Sequence, residues 1–169
     1  MGYNNITVIN ILDKTDFKKL EYLDLSYNNI SDISVLEKVN WTKMKNVDFC
    51  HNNISDITVL EKIGIEMLER LNLMLNQIFD INVLEKMNFK TLEYLFLSYN
   101  KISDINVLEK MNFKGLKRLY LDNNSIVDIS VLEKVKFYGL ILIDLRDNKI
   151  PDVIQLEKYP NIIYKPIFA

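Results

Sequence analysis

Three side chains near residue 50 could carry nucleophilic chemistry. Asp48, Cys50 and His51 lie within four residues of sequence, and a thiol nucleophile needs an imidazole within hydrogen-bond reach and a third group that orients the imidazole. Neighbouring residues of a strand point to opposite sides of a sheet, and no oxyanion-hole motif accompanies the three residues. We therefore expect Cys50 to be an unreactive surface thiol, and we predict no catalytic residues and no enzyme activity.

A column of aspartates spaced 24 residues apart could bind cations. Its members are Asp32, Asp56, Asp80, Asp104, Asp128 and Asp152. Carboxylates stacked about 4.8 Å apart repel one another unless hydrogen bonds or cations compensate their charge. Calcium-binding repeats use glycine-rich loops for this purpose, whereas here an isoleucine or valine follows each aspartate and glycine is scarce. We favour hydrogen bonds at a turn and at the entry to a helix, keep a metal site as the alternative, and predict no metal and no cofactor.

The elements that position these residues recur with a strict period. Seven asparagines fall 24 residues apart: Asn4, Asn28, Asn52, Asn76, Asn100, Asn124 and Asn148. Such a period indicates one small unit copied along an axis. In the copy at residues 92–115, leucines alternate ahead of the asparagine as in a short strand with one buried face: Leu92, Leu95 and Leu97. We expect each asparagine side chain to satisfy backbone groups of its own repeat and of the neighbouring repeat, where the chain leaves the strand.

The second half of each copy predicts a helix. Val107, Leu108 and Met111 recur at helical spacing. A capping-box pattern begins each of these segments, at Ser34 to Glu37, Thr58 to Glu61, Asn82 to Glu85, Asn106 to Glu109 and Ser130 to Glu133. Each repeat is therefore predicted to hold a strand, a tight turn and a helix of about two turns. An aromatic column predicts a spine in the core: Phe17, Trp41, Phe89, Phe113 and Phe137, with Ile65 in the remaining copy.

These motifs resemble the leucine-rich repeat family. The pattern LxxLxLxxN followed by IxDIxxLxx is most similar to the internalin-type subclass, which a regulatory subunit of protein phosphatase type 1 shares. The repeats here have 24 residues, two more than is usual for that subclass. The resemblance implies an α/β fold: a right-handed solenoid with a parallel β-sheet on the concave face and short helices on the convex face. It also implies a module that binds partners on the concave face.

The repeat register divides one leucine-rich repeat domain, residues 1–169, into successive copies. A partial repeat at 1–19 precedes full repeats at 20–43, 44–67, 68–91, 92–115 and 116–139, and the last repeat with a C-terminal cap occupies 140–169. The first copy lacks its opening leucines, so we expect its edge to be covered by a partner or by a second copy of the chain, or the chain to be a fragment. Pro151, Pro160 and Pro166 discourage a further strand at the other edge, which favours Tyr159–Ala169 as a modest cap.

The variable positions of the strands should carry the function. The third, fifth, seventh and eighth places of each copy flank the repeated leucines and should face solvent on the sheet. All three arginines and six of the nine tyrosines lie in these places, together with none of the lysines. Enrichment in tyrosine and arginine over lysine is typical of protein-binding surfaces, although strands favour tyrosine in any case.

We predict a partner-binding patch at the centre of this surface. Its apolar and aromatic members are Met74, Leu75, Tyr94, Phe96, Tyr99 and Tyr120, with Arg70 and Arg118 beside them. An acidic rim should flank the patch, with Asp24 and Asp48 on one side and Asp122, Asp144 and Asp147 on the other. The predicted partner inserts an apolar anchor at the centre and offers basic groups to the rim.

Composition excludes several other classes. The net charge is -2 and the charges are dispersed, so no basic stripe predicts nucleic-acid binding. No apolar stretch approaches the roughly 20 residues of a membrane span, and residues 1–12 do not read as a signal peptide, which favours a cytoplasmic location by default. We therefore predict a protein–protein interaction module. The alternative is a structural repeat or self-associating unit that uses its uncapped N-terminal edge.

Overall fold

A computed structural model describes residues 1–14, 17–87, 89–111, 114–135, 139–151 and 160–164. Within these ranges the chain forms one sheet of seven parallel strands, each paired with the next in chain order. The strands are β1 (Tyr22–Asp24), β2 (Asn46–Asp48), β3 (Arg70–Asn72), β4 (Tyr94–Phe96), β5 (Arg118–Tyr120), β6 (Leu142–Asp144) and β7 (Ile162–Ile163). The sheet and its order confirm the predicted parallel-sheet solenoid.

Strands β1 to β6 pair in register, so that positions 24 residues apart lie side by side. Leu71 of β3 lies between Val47 of β2 and Leu95 of β4, and all three side chains are buried. Side chains alternate between the two faces of a strand. The middle residue of each strand therefore enters the core, and the residues on either side of it lie on the other face of the sheet.

The helices are shorter and tighter than the sequence predicts. Six 3-10 helices are present in the described residues: Asn10–Lys14, Ser34–Lys38, Thr58–Lys62, Asn82–Lys86, Asn106–Glu109 and Ser130–Glu133. In the second of these, the Leu36 N–H donates to Ile33 O at 3.0 Å and the Val39 N–H donates to Leu36 O at 3.1 Å. Val39 then adopts an extended conformation and is buried. The prediction of two helical turns is wrong because the chain returns toward the next strand after four or five residues.

The capping-box interpretation is also wrong. The residue that precedes the helix is Ile33, which makes no side-chain capping bond. Instead, Oδ1 of Asp32 accepts the Ser34 N–H at 2.8 Å. Glu37 does not reach back to the start of its own helix; its Oε2 lies 2.8 Å from Nζ of Lys62 in the next repeat. Equivalent pairs between repeats join Glu61 to Lys86, Glu85 to Lys110 and Glu109 to Lys134 on this outer face.

The aromatic column lies where it was predicted, as far as the structure describes it. Trp41, Phe89 and Ile65 are buried, and Phe17 is partly buried against the same core. Phe113 and Phe137 lie outside the described residues. Nε1 of Trp41 is the one buried side-chain nitrogen or oxygen of the described residues that has no hydrogen-bond partner.

Strand β7 corrects the prediction that the prolines end the sheet after β6. The Ile143 N–H donates to Asn161 O at 2.8 Å and the Leu145 N–H donates to Ile163 O at 2.7 Å. Both contacts use carbonyl oxygens that follow Pro160 as acceptors, and a proline lacks a backbone donor but does not remove the acceptors of its neighbours. Most of the predicted cap, together with Asp152 of the aspartate column and Pro166, lies outside the described residues.

Candidate functional site

The asparagine ladder fixes the point where each strand ends. Nδ2 of Asn76 donates to Leu73 O of its own repeat at 3.1 Å and to Phe49 O of the preceding repeat at 2.9 Å. Its Oδ1 accepts the Ile54 N–H at 3.0 Å. The same pattern of donors and acceptors recurs at Asn28, Asn52, Asn100, Asn124 and Asn148. This confirms the predicted structural role of the asparagines.

The residue before each ladder asparagine adopts a left-handed backbone conformation. We call these seven residues the left-handed row, and their φ angles lie between 53° and 58°: Tyr3, Tyr27, His51, Leu75, Tyr99, Asn123 and Asp147. This conformation is unfavourable for most L-residues and is easiest for glycine, asparagine and aspartate. The sequence signal is present only at Asn123 and Asp147, so the row could not be recognised from tyrosine, histidine or leucine at the other copies.

Two rows of side chains cross the sheet surface perpendicular to the strands. The first residues of β1 to β6 form one row: Tyr22, Asn46, Arg70, Tyr94, Arg118 and Leu142. The third residues form the second row, which we call the central row: Asp24, Asp48, Asn72, Phe96, Tyr120 and Asp144. Adjacent strands are about 4.8 Å apart, so neighbours within a row are in contact range.

The structure brings three of the predicted site residues together in one stack. The Phe96 and Tyr120 rings are parallel within 6°, with their centroids 4.7 Å apart. The guanidinium carbon of Arg70 lies 4.3 Å from the Phe96 centroid. Phe96 and Tyr120 are half-buried and Arg70 is exposed. A cation over an aromatic face is attracted by the ring quadrupole, so the stack holds both an apolar surface and a positive charge in a fixed arrangement.

The remaining apolar residues of the predicted patch are divided between two places. Tyr94 is half-buried and is paired in register with Arg118, which is exposed. Met74 is half-buried near the end of β3. Leu75 and Tyr99 belong to the left-handed row, where they line an open groove of about 670 Å³ with ladder asparagines and the exposed amides that follow them. The patch is therefore a stack on the sheet with a neighbouring groove at the strand ends.

A second aromatic stack was not predicted. The Tyr3 and Tyr27 rings lie 4.3 Å apart between centroids, and the Tyr27 and His51 rings lie 4.8 Å apart. Interactions with Tyr3 raise the pKa of Tyr27 above its ordinary value. All three side chains are exposed and belong to the left-handed row. The signal in the sequence is the recurrence of aromatic rings at one place in the first three copies, which register pairing turns into direct contact.

The acidic residues of the predicted rim are not equivalent. Oδ1 of Asp24 accepts the Ser26 N–H at 2.9 Å and the Ser26 hydroxyl at 2.6 Å. Oδ1 of Asp48 accepts the Cys50 N–H at 2.9 Å, and its Oδ2 accepts Nδ2 of Asn72 at 3.0 Å. Both carboxylates remain partly exposed. Their hydrogen-bond donors are neutral. Burial opposes ionisation of Asp24, but the hydrogen bonds from Ser26 and the positive charge of the N-terminal ammonium group lower its pKa.

On the other side of the rim, an arginine compensates the charge of Asp144. Asp144 is 1 % exposed, and the Arg146 guanidinium donates to both of its carboxylate oxygens, with Nε 2.8 Å from Oδ1. Asp122 accepts the Ser98 hydroxyl and Nδ2 of Asn123. The prediction that Asp144 forms part of an exposed rim is wrong because its carboxylate is buried beneath the arginine that neutralises it.

Cys50 is not on the surface. Its side chain is 5 % exposed, and burial, together with the negative charges of Asp48 and Asp24, raises its pKa to about 11. The thiolate is the reactive form of cysteine, so this environment disfavours reaction at neutral pH. The expected surface position was wrong because the chain turns at the end of β2 and directs the His51 ring, rather than the thiol, outward.

The aspartate column makes the predicted turn hydrogen bonds. The aspartate two residues before each helix accepts a backbone N–H at 2.8 Å in five successive copies: Asp32, Asp56, Asp80, Asp104 and Asp128. The Ser34 backbone N–H, assisted by its hydroxyl, lowers the pKa of Asp32. The described residues contain no group of three or more histidine, cysteine, aspartate or glutamate side chains that could hold a metal ion. Within the described chain, these carboxylates are committed to the start of each helix.

Comparison with known proteins agrees with this geometry. The family model for leucine-rich repeats in two copies matches residues 18–62 and 90–134. The chain belongs to the leucine-rich repeat family. No curated protein matches the sequence. None of the helices in the described ranges has the length and apolar character to span a membrane.

Solved structures place the chain near the internalins. It is 30 % identical to internalin C2 of Listeria monocytogenes, with a TM-score of 0.78, over 98 % of this chain and 70 % of that one. It is 25 % identical to the internalin InlF of the same organism, with a TM-score of 0.70, over 98 % of this chain and 52 % of that one. The chain thus spans about half the length of InlF.

A third similar structure is an assembly of proteins. The chain is 28 % identical to a chain of the LRIM1/APL1C complex, with a TM-score of 0.61, over 75 % of this chain and 22 % of that one. Leucine-rich repeat proteins generally act as protein-interaction modules and are typically non-enzymatic.

Proposed function

We propose that this protein binds another protein on its concave sheet surface, with the contact centred on the stack of Arg70, Phe96 and Tyr120. The observation that supports the proposal is the stack itself: two half-buried aromatic rings and an arginine are held in contact on the sheet surface. Aromatic residues and arginine dominate the energetics of protein interfaces.

The scaffold makes this surface suitable for recognition. The ladder asparagines and the buried leucines fix the backbone of each strand. The side chains of the two surface rows therefore vary without changing the fold. A rigid surface loses little conformational entropy on binding. Tyr94 and Arg118 extend the stack along the first row, Met74, Leu75 and Tyr99 extend it toward the groove, and the carboxylates of Asp24, Asp48 and Asp122 flank it.

A capture experiment with matched variants tests the proposal. Wild-type protein and the double variant Phe96→Ala/Tyr120→Ala are immobilised and exposed to the same lysate, and the captured proteins are compared. The control is Phe79→Ser, because Phe79 is an exposed aromatic residue outside the sheet and serine occupies the same place at Ser31, Ser55 and Ser103. Circular dichroism verifies that each variant is folded.

We expect a specific captured protein to bind wild type and Phe79→Ser equally and to bind the double variant at least tenfold more weakly, since two central interface aromatics contribute about 1–2 kcal/mol each. Equal capture by the folded double variant would show that the sheet stack is not the binding surface.

The alternative proposal is self-association through the N-terminal edge. Exposed apolar side chains at Val8 and Ile11 favour it, because apolar surface of this kind is often covered in an assembly. Sedimentation of the wild type and of Val8→Ser/Ile11→Ser over a range of concentrations tests it. A concentration-dependent dimer that the double substitution dissolves is expected, and a monomer at all concentrations would contradict it.

A further inference from the structure

The central row has opposite character at its two ends. Register pairing places Asp24, Asp48 and Asn72 in line with Phe96 and Tyr120. Two partly exposed carboxylates occupy the β1 and β2 positions, whereas the β6 position holds Asp144, which is buried and paired with Arg146. The central row therefore carries two partly exposed carboxylates at its β1 end, two aromatic rings at its centre and a buried ion pair at its β6 end.

In the described residues no cationic side chain is bound to Asp24 or Asp48, and the one cation that acts on Asp24 from nearby is the N-terminal ammonium group. The hydrogen bonds to Asp24 and Asp48 come from Ser26, Cys50 and Asn72, all of which are neutral donors. The nearest arginine along the sheet is Arg70, and its guanidinium lies over the Phe96 ring. Adjacent carboxylates about 4.8 Å apart repel each other, so a bound cation between them would relieve that repulsion.

The negative charges of Asp24 and Asp48 raise the pKa values of two neighbouring groups, the Tyr22 hydroxyl and the Cys50 thiol. Burial raises the pKa of the Tyr22 hydroxyl, and the charges of Asp24 and Asp48 raise it further, against the opposing effect of Arg70. Burial likewise raises the pKa of Cys50, with Asp48 and Asp24 adding to the shift. The Tyr22 hydroxyl and the Cys50 thiol belong to different repeats, and the same two carboxylates raise the pKa of both. The potential therefore extends over β1 and β2 rather than one side chain.

We propose that the partner is a protein segment that crosses the strands in one direction, with an apolar side chain at Phe96 and Tyr120 and a lysine or arginine over Asp24 and Asp48. This rests on the proposed function and adds the polarity and the spacing of the ligand. Asp48 lies two strands and Asp24 three strands from Phe96, which corresponds to about 10–14 Å. In an extended segment this separation equals about three or four residues.

Selection from a displayed library of linear peptides tests the inference. Wild-type protein is the target, and selected peptides are synthesised and measured by fluorescence anisotropy. We expect an aromatic or aliphatic residue with a lysine or arginine three or four positions to one side of it. The affinity of such peptides should fall by about tenfold for Asp24→Asn/Asp48→Asn, because two partly exposed ion pairs are lost. Asparagine at this place is compatible with the fold, because Asn72 occupies it in β3.

One control variant and one test of direction make the result specific. Glu61→Gln/Glu85→Gln removes the same charge from the outer face, where these glutamates pair with Lys86 and Lys110, and should change affinity by less than about twofold. Asp122→Asn tests the direction, because Asp122 follows β5 and lies on the other side of Phe96 from Asp24 and Asp48. A segment that runs toward β1 should lose less affinity with this variant than with Asp24→Asn/Asp48→Asn.

The outcomes separate this inference from the proposed function. In one outcome, selected peptides fail to bind Phe96→Ala/Tyr120→Ala and yet carry no basic residue, or bind Asp24→Asn/Asp48→Asn as tightly as wild type. Such peptides would refute the proposed direction of the segment and would still support the proposed binding surface. Peptides that bind Asp122→Asn as weakly as Asp24→Asn/Asp48→Asn would refute the proposed direction as well. If no selected peptide loses affinity for Phe96→Ala/Tyr120→Ala, both the proposed function and this inference are refuted.

Discussion

Replacing an internal ladder asparagine should destabilise the protein far more than replacing the terminal one. Asn76 is buried, and its side chain makes four hydrogen bonds to backbone groups of two repeats. Asn4 is exposed and donates to Met1 O and Gly2 O within its own segment. The substitutions Asn76→Ala and Asn4→Ala remove the same chemical group from these different surroundings.

The magnitude follows from which backbone groups lose their partners. Leu73 O also accepts from Asn100 and Phe49 O also accepts from Asn52, so these carbonyls keep one amide donor in Asn76→Ala. The Ile54 N–H loses its acceptor inside the core. An orphaned buried donor costs about 1–3 kcal/mol, and the weakened carbonyl interactions add about 1 kcal/mol. We expect Asn76→Ala to lower the free energy of unfolding by about 3 kcal/mol, and Asn4→Ala by less than about 0.5 kcal/mol.

Urea unfolding followed by circular dichroism measures this difference, and amide hydrogen exchange localises it. Exchange of the Ile54 N–H should become faster in Asn76→Ala, while amides several repeats away keep their protection. The variant Asn76→Asp retains an acceptor for the Ile54 N–H but places a carboxylate against carbonyl oxygens, so it should be no more stable than Asn76→Ala. A loss below about 0.5 kcal/mol for Asn76→Ala would refute the view that the ladder stabilises the stack of repeats.

Three further predictions concern other features of the repeat. Leu75→Asn should raise the free energy of unfolding by up to about 1 kcal/mol, because asparagine tolerates the left-handed conformation of Leu75 better than leucine does. The same substitution at Leu142, which is half-buried in a strand, should lower the free energy of unfolding. Chemical denaturation measures both variants, and the opposite ranking would contradict this reasoning. Trp41→Phe should change the free energy of unfolding by less than about 1 kcal/mol, because the smaller ring loses some packing but also removes the buried Nε1 that has no hydrogen-bond partner. Trp41→Ala should lower the free energy of unfolding by about 3–5 kcal/mol. Thermal unfolding compares the two variants, and a large loss for Trp41→Phe would count against an unpartnered Nε1. The free energy of unfolding should fall between about pH 9 and about pH 11, because the Cys50 thiol ionises there in the unfolded chain but stays protonated in the folded protein, where its pKa is raised to about 11. Urea unfolding of Cys50→Ala should show a shallower decline over this pH range. Identical pH profiles for the variant and the wild type would exclude the raised pKa.

The sequence predicts the scaffold well because the scaffold is made of repeated, buried residues. The period of Asn76 and its equivalents, and the alternation of Leu92, Leu95 and Leu97, each reflect one physical requirement that every copy shares. The parallel sheet and the core positions follow directly from such patterns. The helices were predicted less well. Ser34 and Glu37 match a capping box, but the Ser34 N–H donates to Oδ1 of Asp32 and the glutamate pairs with a lysine of the next repeat.

The sequence predicts which residues of the candidate site lie on the sheet surface, but not which of their side chains contact one another. Alternation places Phe96, Tyr120 and Arg70 on the sheet surface, yet sequence alone does not show that the arginine lies over one ring or that the two rings stack. The burial of Asp144 depends on the approach of the Arg146 guanidinium, which is a property of side-chain conformation at the end of β6. Each of these side-chain contacts occurs in one repeat only, so the periodic pattern of the sequence does not predict it.

The geometry of the stack also determines how a partner can reach it. Arg70 comes from β3 and Tyr120 from β5, on opposite sides of Phe96 in β4. The guanidinium lies over the Phe96 ring from the β3 side and the Tyr120 ring stacks on it from the β5 side. The partner that we propose would therefore contact the edges of the Phe96 ring rather than its faces. Aromatic edges carry partial positive charge and favour the face of another ring. An aromatic anchor should therefore stand edge-to-face against Phe96 and Tyr120, and the row of carboxylates at the β1 end then orients the charged part of the same segment.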